Sequence, residues 1–145
     1  MYNRVIKLER VFIMKKIISI VLAISMLLLV FSLTGCYKSS GVGTMLITSN
    51  KNNSASMQFY VFEGTKAFNL KITNKNEGTL KYHAEVLVGS ATVYYDINGT
   101  KQELCKVSAG DVIESSIDFS EKGKLWIIIE TSEKCYDGNF TFNIE

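Results

Sequence analysis

The amino-acid sequence predicts an all-β protein, specifically a small antiparallel β-sandwich of seven or eight strands. Apolar and polar residues alternate with a period of two in several segments after residue 55, which is typical of strands that bury one face. Turn signals rich in Gly and Asn separate these segments at short intervals. After the first 35 residues, no segment has an apolar stripe with helical spacing over a sufficient length. A β-barrel is the alternative architecture of the same class.

The alternating segments define the expected core. The residues predicted to point inward are Phe68, Leu70 and Ile72, then Leu80, Tyr82, Ala84, Val86 and Val88, then Ile113, Ser115, Ile117 and Phe119, and last Phe140, Phe142 and Ile144. Turns are predicted at Glu63-Gly64, Asn76-Glu77-Gly78, Ala109-Gly110 and Glu121-Lys122-Gly123. Short strands separated by turns at this spacing indicate two packed antiparallel sheets.

The dipeptide Asn98-Gly99 is the strongest turn signal in the sequence. Both central residues of a type I′ turn need positive φ, and Asn followed by Gly tolerates that conformation. The dipeptide therefore predicts a hairpin that joins residues 91–97 to residues 100–107. With a two-residue turn, this hairpin places Val93 opposite Leu104.

The first 35 residues have the layout of an export signal. Basic residues up to Lys16 precede an uncharged apolar run over residues 17–33, as in signal peptides with a basic start and a small-residue cleavage site. Met14, directly before Lys15 and Lys16, is an alternative translation start. The run is ~17 residues long, near the lower limit for a permanent membrane helix, so an uncleaved anchor is the competing interpretation.

The end of the apolar run, Leu33-Thr34-Gly35-Cys36, is similar to the lipobox of bacterial lipoproteins. The resemblance implies that the Cys36 sulfur carries a diacylglycerol, that the chain is cut before Cys36, and that the protein is lipid-anchored on the extracytoplasmic face of the cell membrane. Anchoring by two acyl chains is stable, whereas anchoring by one is marginal. Residues 1–35 would then be the signal peptide, residues 36–54 a lipidated tether with a weak edge strand at 45–47, and residues 55–145 the β-sandwich domain.

The C-terminal segments carry a second resemblance. Residues 121–130 read Glu-Lys-Gly-Lys-Leu-Trp-Ile-Ile-Ile-Glu, and after a short loop residues 138–144 read Gly-Asn-Phe-Thr-Phe-Asn-Ile. This layout resembles the closing hairpin of small Gram-positive lipoproteins whose exported domain is a β-sandwich of unknown function. The resemblance covers about residues 55–145, and it implies a fold and a location without an activity.

The charge of the exported part excludes one class of partner. Residues 36–145 contain eleven Lys, no Arg and thirteen Asp and Glu, for a net charge of −2. Nucleic-acid binding needs clustered Lys and Arg to neutralise phosphates, so a mildly acidic domain without Arg is a poor candidate.

The residues that could carry catalysis or bind a metal do not form a recognisable motif. His83 is the only histidine, and the alternation places it on the outer face between Lys81 and Glu85, where we expect a solvated side chain. No nucleophile-elbow, HExxH or phosphate-binding glycine motif is present, so we expect no catalytic residue, no metal site and no cofactor. Cys105 and Cys135 are an even pair in an oxidising compartment and could form a disulfide, although many exported Gram-positive proteins have none.

The outward aromatic residues are the candidate binding face. In the segment 125–129 the inward set is Leu125, Ile127 and Ile129, which leaves Trp126 and Ile128 outward, and the same alternation points Tyr60 and Tyr94 outward. An apolar patch of these four side chains could bind a sugar ring or a protein. The alternative is that this strand is covered on both faces, or that a neighbouring loop packs on Trp126, and this alternative is favoured.

Three functions are consistent with this sequence. The first is a membrane-anchored, non-catalytic binding module for a cell-envelope saccharide or an exported protein. The second is an accessory or inhibitory lipoprotein that acts on an exported partner, and the third is a hydrolase that uses paired carboxylates. We rank them in this order, because no convergent polar chemistry supports the third.

Overall fold

The structure is a computed structural model that describes residues 37–73 and 78–145. The predicted signal peptide 1–35, the alternative start at Met14 and the lipidation site Cys36 lie outside the described residues. Within the described ranges no helix is long and apolar enough to cross a membrane. The strands are β1 (Ser40–Thr44), β2 (Ile47–Asn50), β3 (Ser54–Ile72), β4 (Thr79–Val88), β5 (Ser90–Ile97), β6 (Thr100–Ser108), β7 (Val112–Asp118) and β8 (Gly123–Ile144).

The predicted all-β class and the antiparallel β-sandwich are confirmed. All strand pairs are antiparallel, and β3 and β8 each pass through both layers. Sheet I contains β2, residues 54–62 of β3, residues 135–144 of β8, β4 and β7. Sheet II contains residues 64–72 of β3, residues 123–131 of β8, β5 and β6.

The two long strands change sheets at one irregularity in their pairing. Phe62 pairs with Cys135, but Gly64 pairs with Thr131, so β8 contains extra residues at the bend. Gly64 adopts φ +130°, and a Cβ there would lie 2.4 Å from the Ser40 carbonyl oxygen, so only glycine fits. The Thr131 hydroxyl lies 2.9 Å from the Gly64 nitrogen and accepts its hydrogen bond, which satisfies a donor at the break in the ladder.

The core lies between the inner faces of the two sheets, as the alternation predicts for all but two positions: Val88 at the end of β4 and Ser115 on the edge strand β7 are exposed. Tyr82, Ile113, Ile117 and Phe119 are partly buried against it. Its fully buried members from the predicted segments include Phe68, Leu70, Leu80, Ala84, Val86, Leu125, Ile127, Ile129, Phe140 and Phe142. Burial of one such aliphatic or aromatic side chain stabilises the fold by about 1.5–3 kcal/mol.

Two predicted breaks are wrong. Glu63-Gly64 is predicted as a turn, and a loop is predicted between the two C-terminal segments, but β3 and β8 run through both positions without ending. Glycine at a bulge and glycine at a turn give the same sequence signal, because both need an unusual backbone conformation. The predicted closing hairpin of residues 121–144 is therefore one bent strand.

The segment predicted as tether contains two strands. β1 pairs with β3 around the bend and β2 pairs with residues 55–58, so the sheet begins at Ser40, before the predicted domain boundary at residue 55. All residues of β1 and β2 are exposed, which explains why they lack a period-two pattern. The predicted weak strand at residues 45–47 is displaced, because Met45 and Leu46 form the connection between β1 and β2.

The predicted Asn98-Gly99 turn is confirmed, with φ of 59° at Asn98 and 87° at Gly99. The register of the hairpin is as expected from the turn to the pair of Tyr94 with Glu103. A β-bulge follows, so Val93 pairs with Cys105 and the predicted pairing with Leu104 is wrong by one residue.

We predict that Gly138→Ala destabilises the domain. The Phe59 ring lies over Gly138 and stacks against Phe140 with centroids 6.2 Å apart, and a Cβ at position 138 would lie 2.1 Å from the Phe59 ring. Overpacking of this kind costs roughly 1–3 kcal/mol, measured by urea unfolding. Phe59→Leu in the same protein makes room, so the double variant should lose less stability than the sum of the single variants. Strict additivity would contradict the assigned clash.

Candidate functional site

The outer faces of the two sheets differ in chemistry. The outer face of sheet I, here called the polar face, carries mainly hydroxyl, amide and charged side chains on β3, β8, β4 and β7, with exposed Tyr60, Leu87 and Val112 among them. By register these residues form rows that run across the strands. They are Ser54, Ser56, Gln58, Asn139, Thr141, Asn143, Lys81, His83, Glu85, Glu114 and Ser116.

A chain of side-chain contacts crosses the polar face. Gln58 donates to Asn139 at 3.3 Å, and Asn139 donates to the Glu85 carboxylate at 3.0 Å. The Glu85 carboxylate lies 3.6 Å from His83 Nε2, and His83 Nδ1 lies 3.3 Å from the Glu114 carboxylate. These contacts hold the side chains of four strands in fixed orientations, with donors and acceptors alternating over the surface.

A shallow groove of about 450 Å³ runs over part of this face. Its lining residues are Lys81, Tyr82, His83, Glu114, Ser115, Ser116, Thr141 and Asn143. Its volume lies within the range of small-molecule sites, roughly 300–1,000 Å³, although its lining is more polar than usual for such sites. The groove therefore suits a ligand rich in hydrogen-bonding groups rather than an apolar one.

His83 lies on the outer face of its strand, as predicted, but its side chain is not solvated as expected. Its side chain is only 22% exposed and lies between two carboxylates. Its Nε2 is buried without a hydrogen-bond partner. The structure thus places His83 at the floor of the groove rather than in bulk solvent.

The structure divides the predicted aromatic patch. Trp126, Ile128 and Tyr94 share the outer face of sheet II, because Trp126 pairs with Asp96 and Ile128 pairs with Tyr94. Tyr60 is 52% exposed, but it lies in the part of β3 that belongs to sheet I. The four residues do not form one surface.

Trp126 is covered by the segment before β1. The rings of Tyr37 and Trp126 meet edge to face with centroids 5.7 Å apart. The Tyr37 hydroxyl donates to Asp96 Oδ2 at 2.5 Å, and Asp96 Oδ1 accepts from the Gly99 nitrogen at 2.8 Å. We call this arrangement of Tyr37, Asp96 and Trp126 the tyrosine clamp. It corresponds to the favoured alternative, in which a neighbouring segment packs on Trp126.

Ile128 points away from the core and is nevertheless 0% exposed. Its cross-strand neighbour Tyr94 lies under Lys101, whose ammonium is 4.0 Å from the ring centroid. The Lys101 ammonium also forms a salt bridge with the Glu130 carboxylate, with 2.6 Å between the charged atoms. Ile128 thus adds to packing on the outer face and does not present an apolar surface.

Cys105 and Cys135 are both free thiols in the structure. Burial, and then the Glu103 carboxylate, raises the pKa of Cys105 to about 11. Burial also raises the pKa of Cys135, whose thiol donates to the Ser90 carbonyl at 3.1 Å. Thiols of this kind react slowly, because the thiolate is the nucleophile. The disulfide stays a prediction for the oxidised protein.

Carboxylates near the turns have local roles. Asp118 accepts from the Thr79 hydroxyl at 2.7 Å, and Asp111 accepts from the Ser108 nitrogen at 3.1 Å. Among residues 37–73 and 78–145, no group of three or more His, Cys, Asp and Glu side chains has the arrangement of a metal site.

Tyr37 and the polar face were not predicted from the sequence. Tyr37 lies in a segment rich in Gly and Ser that has no periodicity, so its sequence gives no sign of docking. The polar face could have been found, since the residues between the inward positions are polar in β7, in residues 139–143 of β8 and in β4 up to Glu85.

We predict that Tyr37→Phe lowers stability by about 1 kcal/mol, because it removes a hydrogen bond to a carboxylate at a partly exposed site. Desolvation, followed by the hydrogen bond and charge of Asp96, raises the pKa of Tyr37 from 10.0 to about 12. The contribution of the protonated hydroxyl is therefore complete below pH 10 and is lost as the pH rises towards 12. Unfolding of both proteins from pH 8 upwards measures it, and a difference that stays constant up to pH 12 would contradict the clamp.

The chain matches no protein-family model and no curated protein. Two solved structures that it is similar to are mutants of a family 29 carbohydrate-binding module. The first has 12% identity over 73% of this chain and 72% of that chain, and the second has 16% identity over 74% and 78%, both at a TM-score of 0.35. The cupin domain of CENP-C from Drosophila melanogaster has 15% identity over 77% and 86%, at a TM-score of 0.32. No functional conclusion follows from likenesses at this level.

Proposed function

We propose that this protein is a lipid-anchored binding module on the extracytoplasmic face of the cell membrane, and that the polar face of sheet I binds a saccharide of the cell envelope without catalysis. The main support for a saccharide ligand is the series of side-chain contacts that runs from Gln58 to Glu114. It presents amide, imidazole and carboxylate groups in fixed orientations beside an open groove.

The chemistry of this face suits hydroxylated ligands. Each sugar hydroxyl both donates and accepts a hydrogen bond, and amide side chains do the same. Strands lie about 4.8 Å apart and same-face residues about 6.8 Å apart along a strand, so polar groups repeat in both directions across the sheet. A flat polar sheet can therefore contact several hydroxyls of an extended polymer at once.

The anchor rests on the sequence. Leu33-Thr34-Gly35-Cys36 follows the apolar run directly, where lipoprotein processing requires it. The negative net charge of residues 36–145 and the absence of Arg favour a neutral or hydroxylated ligand over a nucleic acid.

The proposed lipid anchor predicts that the Cys36→Ser variant is defective in cleavage or in membrane attachment. This variant should appear either as an uncleaved precursor or as protein released from membranes, since serine cannot form the thioether to diacylglycerol. Labelled palmitate and detergent-phase partitioning distinguish it from the wild type. Wild-type protein of full precursor mass without label would contradict lipidation.

Saccharide binding on the polar face predicts a difference between two asparagine variants. Asn143→Ala removes an exposed amide that lines the groove, and it should weaken binding to purified cell-wall polysaccharide by roughly five- to tenfold, as expected for one lost hydrogen bond. Asn69→Ala, at a half-buried position on the outer face of sheet II, is the control and should leave the affinity unchanged. Calorimetry or pull-down measures both affinities. Loss of binding in the Asn69 variant alone would place the ligand on sheet II instead.

A further inference from the structure

The β1–β2 edge, residues 40–50, exposes an unusual amount of apolar side chain. Val42 is 81% exposed, Met45 78% and Ile47 67%, and Leu46 between them is 38% exposed. Scattered exposed apolar residues are ordinary, but four within six positions of two short edge strands and their connection are not. Such an edge attracts another surface.

The β1–β2 edge is fixed to the domain over its whole length. Before it, the tyrosine clamp holds Tyr37, and the Ser39 hydroxyl accepts from the Ala67 nitrogen at 3.1 Å. Along it, β1 pairs with β3 from Ser40↔Thr65 to Thr44↔Val61, and β2 continues from Ile47↔Gln58. The apolar side chains therefore have defined positions and do not swing on a tether.

The β1–β2 edge follows the proposed lipidation site in the chain, and this position indicates that the edge contacts the membrane. Cys36 directly precedes the clamped Tyr37, and nine extended residues from Cys36 to Met45 span at most about 30 Å. Tyr37 packs on Trp126 of β8 and Asp96 of β5, so the acyl chains would leave from the outer face of sheet II, within about 30 Å of the apolar side chains. A bilayer surface that receives the acyl chains lies within reach of Val42, Met45 and Ile47.

The charge of this segment fits an anionic surface. From Cys36 to Phe62 the sequence contains Lys38 and Lys51 and no Asp or Glu. Cytoplasmic membranes of bacteria contain anionic lipids, and lysines near such a surface are attracted to it. Residues 36–145 carry a net charge of −2, and Glu63, the cross-strand partner of Val42, is the acidic residue next to this edge.

We propose that the β1–β2 edge is a second membrane contact, in which Val42, Met45, Leu46 and Ile47 enter the interfacial region of the bilayer beside the lipid anchor. The strand itself stays at headgroup depth, because its outer N–H and C=O groups have no strand partner and must remain hydrated. This inference rests on the proposed anchor at Cys36 and adds an orientation to it. The β1–β2 edge faces the membrane, and β7 at the opposite edge of sheet I points into the envelope together with the groove.

Depth-dependent fluorescence quenching tests the contact, since Trp126 is the only tryptophan. In a Trp126→Phe background, Val42→Trp reports on the β1–β2 edge. Val112→Trp is the matched control, because it is also an exposed valine, at 61%, but lies on β7 at the opposite edge of sheet I. The full-length proteins are processed in a bacterial host and reconstituted into phosphatidylglycerol–phosphatidylcholine vesicles whose acyl chains are brominated near the headgroups.

We expect several-fold stronger quenching at position 42 than at position 112. Adding Met45→Glu and Ile47→Glu, which change exposed side chains outside the core, should reduce the quenching at position 42 to the control level. Equal quenching at both positions overturns the membrane contact, and so does cross-linking through position 42 into dimers, which would assign the edge to a second copy. Protein that fails to float with the vesicles contradicts the lipid anchor itself, and the inference falls with it.

Discussion

β3 and β8 hydrogen-bond to each other from Ser54↔Asn143 to Ile72↔Gly123, across the bend that carries both strands from one sheet to the other. Four strands pair directly with it: β1 and β2 at the free side of β3, and β4 and β5 at the free side of β8. β7 and β6 follow outside β4 and β5. The bend sets the angle between the sheets and thereby the space that the core fills. Gly64 and Thr131 make it stable, because one permits the backbone conformation and the other satisfies the interrupted ladder.

This arrangement gives the two outer faces different roles. On sheet I the polar residues of four strands remain accessible, and contacts between neighbours orient them. On sheet II the clamp, the Lys101–Tyr94 contact and the Lys101–Glu130 bridge occupy much of the surface. A face that already packs against its own chain has fewer groups to offer a ligand, which is why we assign binding to sheet I.

The sequence predicts what depends on neighbouring residues and misses what depends on distant ones. Period-two alternation identifies the inward faces of β3, β4, β7 and β8, because side-chain direction is a local property of a strand. The same rule correctly turns Trp126 and Ile128 outward. It does not predict that Ile128 is buried or that Tyr37 covers Trp126, since these depend on a segment far away in the chain. Likewise, Gly64 signals an unusual backbone, but only the pairing of β3 with β8 decides between a turn and a bulge.

The β3–β8 pairing also determines when the domain can form. β3 leaves the ribosome long before β8, and neither sheet has its central strand until the last residues of the chain are available. Such long-range pairing makes folding slow, and until then β3 exposes apolar side chains and unpaired edges that can aggregate. Completion of both sheets therefore waits for β8, because each sheet contains part of that strand.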